Sequence, residues 1–535
     1  MENILGQAIG IDFGTTNTVV TYKTKRNNYR QLDYNGETLI PSVIHFNTKD
    51  NYDIGYIAKN HRLTDPKSCI DNFKTDLGEE RSFSYKITAG NGDEFNLTPK
   101  RATKLFLNRV IRDMQEKLFD DFGIEDGIID RAVITVPATF QPNEIQAIKE
   151  AASESLNLDD EKVRAIYEPS AAAIAVHYNE GGSVNKVLIY DLGGGTFDVS
   201  LIERNNENGK YRPVGTPSGD PKLGGNLLTD MLAENLMRWT NEQLGLQPKF
   251  TLNLRNYNST FTVTKDQYEK NIIAIRISAE KVKEDLSDSL STFAMFDFWT
   301  SEDHCEQMKI SVKRRELEKI IKPVIEKTVD LTYKKIESEE AKAIGKIDKI
   351  VLAGGSSKIP LIQQLLSEKL NRDDIFCDPE VGTLISRGAA ILAQDISKID
   401  DVEQVMSFEI GVAATEGMQI DKFKKIIPAN IKLPYENSRN FNLSRDNQKR
   451  LEIECYKYDV NNYPGAIRVD EDGFQLIDTI YIDLPENLKK SDTVIKVTFK
   501  ANQDGSLDLR AEVFDNKGNK IKDGDLHLTK ESDLI

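Results

Sequence analysis

Residues 190–202 read YDLGGGTFDVSLI. An apolar run suited to a β-sheet stops at Asp191, crosses three glycines and a threonine, and resumes as strand. Glycine weakens a strand interior, so such a cluster marks a turn or a close approach of the backbone to another group. An ordinary tight hairpin needs only two turn residues. The excess glycine calls for a reason.

Residues 9–22, IGIDFGTTNTVVTY, repeat the arrangement of strand, aspartate, glycine, threonine and strand. One such turn is compatible with a glycine-rich hairpin. Two in one chain suggest a duplicated lobe whose hairpins face each other. Glycine lets backbone N–H groups converge on phosphate oxygens, because no Cβ bars the approach. Thr15, Thr16 and Thr196 add hydroxyl donors, and Asp12 and Asp191 place carboxylates at strand ends. Two anions beside a polyphosphate require a cation, and Mg²⁺ held largely through water suits oxygen ligands. No GxxxxGK[ST] loop is present, which disfavours a Walker-type site. A third glycine pair, Gly354–Gly355 in VLAGGSSKIPLIQQLL (351–366), ends a strand, and Pro360 suits the first turn of the following helix. That pair reads either as a plain strand-to-helix connection or as a surface on which an adenosine lies flat.

The chain of 535 residues has room for roughly three to four domains. Its hydrophobic content of 39% and charged content of 29% fit a globular protein rather than a disordered one. A net charge of −16 argues against nucleic-acid or anionic-membrane partners, which want a basic face. The opening MENILGQAIGIDFG has no cationic segment ahead of a long apolar run, so no signal peptide is expected. No stretch approaches the ~20 apolar residues of a membrane helix. Cys69, Cys305, Cys377 and Cys455 are far apart, without a Cys-x-x-Cys pair, which points to a reducing, cytoplasmic setting.

Up to about residue 395, short apolar strands (AIGIDF, RAVITVPA, KVLIYDL, KIVLAGG) alternate with amphipathic helices at 101–119, 142–156 and 312–336. The mixed, acidic DISKIDDVEQVMSFE follows as a linker. Beyond it RLEIECYKYDV, TIYIDL, TVIKVTFKA and SLDLRAEVFD alternate as strands, with NQDG (502–505) and DNKG (515–518) as turns. We therefore expect an α/β region at 1–395, a linker at 396–408 and a small antiparallel β domain at 409–535.

Taken together, IDFGTTNT, YEPSAAAIAV, DLGGGTFDVS, LAGGSSKIP and RGAAILA resemble the DnaK-type seventy-kilodalton heat-shock chaperones, within the actin-like, ribonuclease-H-like ATPase fold. The resemblance implies two lobes closing on ATP or ADP with Mg²⁺ and a possible K⁺, and slow hydrolysis that times conformational change. Gly14, Thr15, Thr16 and Asn17 match the first phosphate hairpin; Gly193, Gly194, Gly195 and Thr196 match the second. Lys74, placed by its spacing from Pro66 in AKNHRLTDPKSCIDNFKTDLG, matches the catalytic lysine. Glu168 matches the glutamate that organises water and couples the lobes. Asp191 and Asp198 match the carboxylates around metal and water, with Asp12 facing the metal from the other hairpin. Phosphoryl transfer needs positioning and charge neutralisation more than covalent help, and this set supplies both.

The helix AEKVKEDLS (279–287) resembles the one that contacts base and ribose, through Glu280, Lys283 and Ser287. Gly354, Gly355, Ser356 and Lys358 would complete that end of the site. Lys358 stands where relatives carry arginine, and Glu284 where they carry arginine or an apolar residue. An ammonium stacks on a base less well than a guanidinium, so weaker nucleotide affinity is expected. The family's leucine-rich linker is represented only by Val402, Val405, Met406 and Phe408, and Ile145 replaces a signalling arginine; weak docking of the linker is expected. The β domain resembles the peptide-binding sandwich, with Val412, Phe441, Leu451 and Ile453 falling either on the peptide groove or in plain sandwich core. No segment after HLTKESDLI would form the family's helical lid, so fast peptide exchange is expected. Partners implied are unfolded or extended peptides, a J-domain co-chaperone and a nucleotide-exchange factor. Two other readings are a small-molecule kinase on the same fold and a nucleotide-switched scaffold.

Overall fold

The computed structural model describes residues 7–527, apart from 25, 27, 35, 79–82, 123–128, 141, 160, 216, 221, 378–380, 396–401, 417–418, 461–462, 464 and 504. Its first two large sheets share one topology. The first runs Val163–Tyr167, Ile129–Val136, Gln7–Phe13, Asn17–Lys23, Tyr29–Gln31; the second runs Ile375–Cys377, Lys349–Ala353, Lys186–Leu192, Phe197–Arg204, Tyr211–Pro213. In both, the first three strands are parallel and each of the next two runs antiparallel to the strand before it. The duplication expected from the paired glycine turns is thus present in the strand order. Strands covered on both faces need continuous apolar runs, which is how Ile9, Ile11 and Phe13 or Leu188, Ile189 and Tyr190 come to be fully buried.

Each lobe has its own core, and a third cluster joins them. That joint consists mainly of the helices Glu168–Asn179 and Leu384–Ala393, whose contact face is alanine and glycine. A Cβ on Gly388 would lie 1.8 Å from the Ala171 carbonyl oxygen, so only glycine lets the helices cross this closely. The hinge region is therefore dense, and it carries Glu168 at its first turn.

The expected helices appear as Pro99–Phe122, Pro142–Leu156 and Arg314–Ile336. The last starts later than 312 because Val312 and Lys313 complete the strand His304–Lys313. Glu316 accepts the Lys313 backbone N–H at 2.8 Å and fixes the start. Among the described residues no helix is long and apolar enough to cross a membrane.

From Glu409 onward two four-stranded antiparallel sheets enclose one apolar core. Among the described residues of this region only one short helical turn, Lys490–Asp492, interrupts the strands. Both expected turns are present, with Gly505 and Gly518 at φ +84° and +83°, where glycine is the residue without strain.

Residues 396–401 of the expected linker lie outside the described residues. The remainder is docked in this structure: Val402, Met406 and Phe408 are all buried. Glu403 N–H bonds the Tyr211 carbonyl at 2.7 Å, and Met406 N–H bonds Ile431. Polar groups add what the missing leucines do not. Ser407 Oγ donates to the Ala138 carbonyl, and Lys457 Nζ donates to the Thr139 carbonyl while lying over the Phe408 ring. Ile145, where an arginine was expected, is buried against the Gly505 turn of the β region.

Candidate functional site

The two glycine turns point at each other across a cleft. A Cβ on Gly194 would lie 1.7 Å from Thr16 Oγ1, so side-chain hydroxyl and bare backbone meet tip to tip. Around them opens a cavity of about 850 Å³. It is lined by Asp12, Gly14, Thr15, Thr16 and Asn17 from one lobe and by Asp191, Gly193, Gly194, Gly195 and Thr196 from the other. Lys74, Glu168, Glu280, Lys283, Ser287, Gly354, Gly355, Ser356 and Lys358 line it as well. Asp198 stands directly opposite Asp191 in the hairpin ladder. All the residues assigned to nucleotide, metal and chemistry from sequence therefore meet at one place.

Lys74 Nζ donates to Glu168 Oε1 at 2.9 Å, and both groups are buried. The ammonium also lies near the Phe13 and Phe140 rings, which shield the pair from water. This one cation faces four carboxylates. Burial, and then the Glu168 charge, push the Asp12 carboxyl up to about 7, with Lys74 opposing. The same two causes raise Asp198 to about 7, although the Thr196 and Thr139 side chains hydrogen-bond to it. Burial, with Glu168, Asp198 and Asp12 as neighbours, drives Asp191 well above the usual carboxylate range. Asp198 Oδ1 and Thr16 Oγ1 are buried without a hydrogen-bond partner among the described residues. A site with surplus buried negative charge, unfilled oxygen atoms and a glycine cradle fits a hydrated divalent cation with a polyphosphate.

Several expected nucleotide residues have structural work of their own. Ser356 Oγ donates to the Gly193 carbonyl at 3.1 Å and so braces the second turn. Gly354, at φ +75°, passes so close to Asp191 that a Cβ would lie 2.4 Å from its Oδ1. Lys283 Nζ donates to the Gly225 carbonyl and Thr229 Oγ1, at 3.0 and 2.8 Å. Burial lowers its affinity for a proton. Glu280 pairs across the cleft with Lys59 at 3.1 Å and Arg62 at 3.9 Å. Burial pushes that carboxyl up, but Lys59, Lys283 and Arg62 outweigh it and hold it below its ordinary value. Glu280 therefore latches the lobes at the mouth of the cavity.

Sequence reasoning missed the pair Gly224–Gly225 and Asn226. Gly225 and Asn226 N–H groups bond the Gly193 and Gly194 carbonyls, at 2.9 and 2.7 Å, and a Cβ on Gly224 would strike Gly195. Asn226 Nδ2 also reaches Asn72 Oδ1 on the opposite lobe at 3.0 Å. The signal was available as a fourth glycine pair opening a helix, Gly225–Leu244.

Val412, Phe441, Leu451 and Ile453 are gathered elsewhere. Val412, Leu451 and Ile453 are buried in the core between the two β-region sheets, and Phe441 packs against it from a half-buried position. Of the two readings left open by sequence, plain core describes where these side chains sit.

The sequence model of the Hsp70 protein family matches residues 8–529. The chaperone protein DnaK of Thermosipho africanus is 27% identical over 526 residues, covering 96% of this chain and 79% of that protein. The DnaK proteins of Thermotoga neapolitana and Thermosipho melanesiensis are each 27% identical over 518 residues, covering 94% of this chain and 78% of theirs. Members of this family are ATPases that bind ATP or ADP with Mg²⁺, on an actin-like two-lobed fold. With the duplicated sheets, the facing glycine turns and a match along nearly its whole length, the chain belongs to the Hsp70 family.

Proposed function

We propose that this chain is an ATP-hydrolysing chaperone of the cytoplasm, in which a nucleotide cleft governs a β region that takes up extended apolar peptide. One observation carries the reading: a single cavity is lined by both phosphate hairpins, by Lys74 and Glu168, and also by Phe408 of the linker and Lys457 and Asp459 of the β region. A change in the cleft therefore has a physical route to the β region.

Thr15, Thr16, Gly194 and Gly195 would hold phosphate oxygens through hydroxyl and backbone donors. Asp12 and Asp191 would face Mg²⁺ through its waters. The bound magnesium nucleotide supplies the transferable phosphoryl group and its counter-charge. Glu168 holds the Lys74 ammonium in the cleft, where it would offset charge on that group. Asp198, whose Oδ1 is buried without a hydrogen-bond partner among the described residues, would orient a water and take its proton.

A second reading has its own support. Because Val412, Leu451 and Ile453 are packed inward, they offer peptide no exposed apolar surface, which favours a nucleotide-switched scaffold with little peptide traffic. Steady-state ATP turnover, with and without an apolar peptide, separates the two. The chaperone reading expects slow turnover that peptide stimulates and Lys74→Ala abolishes. Turnover indifferent to peptide would favour the scaffold, and no turnover at all would remove the ATPase reading.

A further inference from the structure

Among the described residues of the linker, the polar Gln404 is almost wholly enclosed, at 1% exposure. Its side-chain oxygen accepts the backbone N–H of Tyr167 at 3.0 Å. Its side-chain nitrogen donates to the carbonyl of Gln503, in the Gly505 turn of the β region. Gln503 answers by donating from Nε2 to the Val402 carbonyl at 2.8 Å. The backbone carbonyl of Gln404 is taken by Leu433 N–H at 2.9 Å. Two glutamines thus tie linker, lobe and β region in one closed set of bonds.

The position of Tyr167 gives this set its meaning. Tyr167 ends the edge strand Val163–Tyr167 of the first sheet. It also caps the helix that begins at Glu168, and no side chain of its own bonds into that cap. Gln404 therefore anchors the residue immediately before the one that holds Lys74. An apolar linker residue could fill the same space but could not take up a buried N–H, and a buried donor left unmet is costly. A satisfied buried amide also fixes orientation, which apolar burial does not.

We propose that Gln404 is a positioning residue for the Lys74–Glu168 pair, acting through the backbone of Tyr167, and that Gln404 and Gln503 do by directional bonding what apolar linker residues would do by area. The proposal rests on the reading of the cleft as an ATP-hydrolysing site.

The test uses the full chain with Gln404→Met, which keeps length and removes both hydrogen-bonding atoms. Single-turnover ATP hydrolysis is expected to slow about fivefold, the scale of one lost buried hydrogen bond, with KM for ATP unchanged. Hydrogen exchange followed by mass spectrometry is expected to quicken in the segment 163–170 and to stay as in the wild type at 186–192. Exchange that quickens evenly over the lobe, or local quickening without a change in hydrolysis, would overturn the proposal. Unchanged rate and unchanged exchange would overturn it too. A wild type that does not hydrolyse ATP refutes the ATPase reading instead, and the exchange pattern still decides whether Gln404 anchors Tyr167.

Discussion

The nucleotide cleft and the β region use buried residues in opposite ways. In the cleft, Asp12, Lys74, Glu168, Asp191 and Asp198 come from distant parts of the chain and leave charge uncompensated around open space. In the β region, Val412, Leu451, Ile453, Ile480 and Phe499 turn inward and share one buried apolar core. Buried charge at a loss to stability marks a site that a ligand completes, whereas inward apolar packing marks what holds the fold. Substitutions in the two regions should therefore fail in different currencies, rate in one and stability in the other.

The largest expected effect is in the cleft. Lys74→Ala leaves Glu168 without its cation and removes the positive charge beside the phosphates; ATP turnover should fall by about a hundredfold or more. A fall below tenfold would mean that Lys74 serves the fold rather than the reaction. In the β region, Leu451→Ala should lower unfolding stability by about 2–4 kcal/mol, read by thermal or denaturant melting. Should Leu451→Ala weaken peptide binding while leaving the melt unchanged, the groove reading would return and the contrast would break.

The carboxylates sharpen the contrast through pH. A carboxyl raised to about 7 in the folded chain favours folding below its ordinary value near 4, and this contribution is lost as pH rises through about 7. Nucleotide-free protein should therefore lose stability across that window. Asp12→Asn should flatten the profile and gain about 1–3 kcal/mol at pH 8. An equally steep melting profile in the variant would show that Asp12 is not held against its charge. A smaller effect is expected at the far end of the cavity, where Lys358→Arg should tighten ADP binding about fivefold, measured by calorimetry.

Much of the cleft was legible because its chemistry needs rare local patterns. Three glycines after Asp191 have few structural excuses, and a second such turn at Gly14 has fewer. Lys74 and Glu168 carry no local pattern of that kind and were reached only by resemblance. The linker was only partly legible for a physical reason: counting Val402, Val405, Met406 and Phe408 measures apolar area, while Gln404, Ser407 and Lys457 hold it through directed bonds that composition does not reveal. The role of Glu280 was illegible for a similar cause. Its partners Lys59 and Arg62 lie over two hundred positions away and meet it only through the tertiary fold. In the β region, alternation gave the strands, but period-two patterning looks the same for a groove wall and for a core.

The central claim is that two facing glycine turns hold a metal-bound polyphosphate in a pocket charged for it. Calorimetric titration of the full chain with ADP at pH 7, with and without Mg²⁺ and in two buffers of different ionisation enthalpy, tests this directly. The account predicts saturable binding that requires Mg²⁺ and releases on the order of one proton, as the raised carboxyls of Asp12 and Asp198 ionise beside the metal. Binding that ignores Mg²⁺ and moves no protons, or no binding at all, would contradict it.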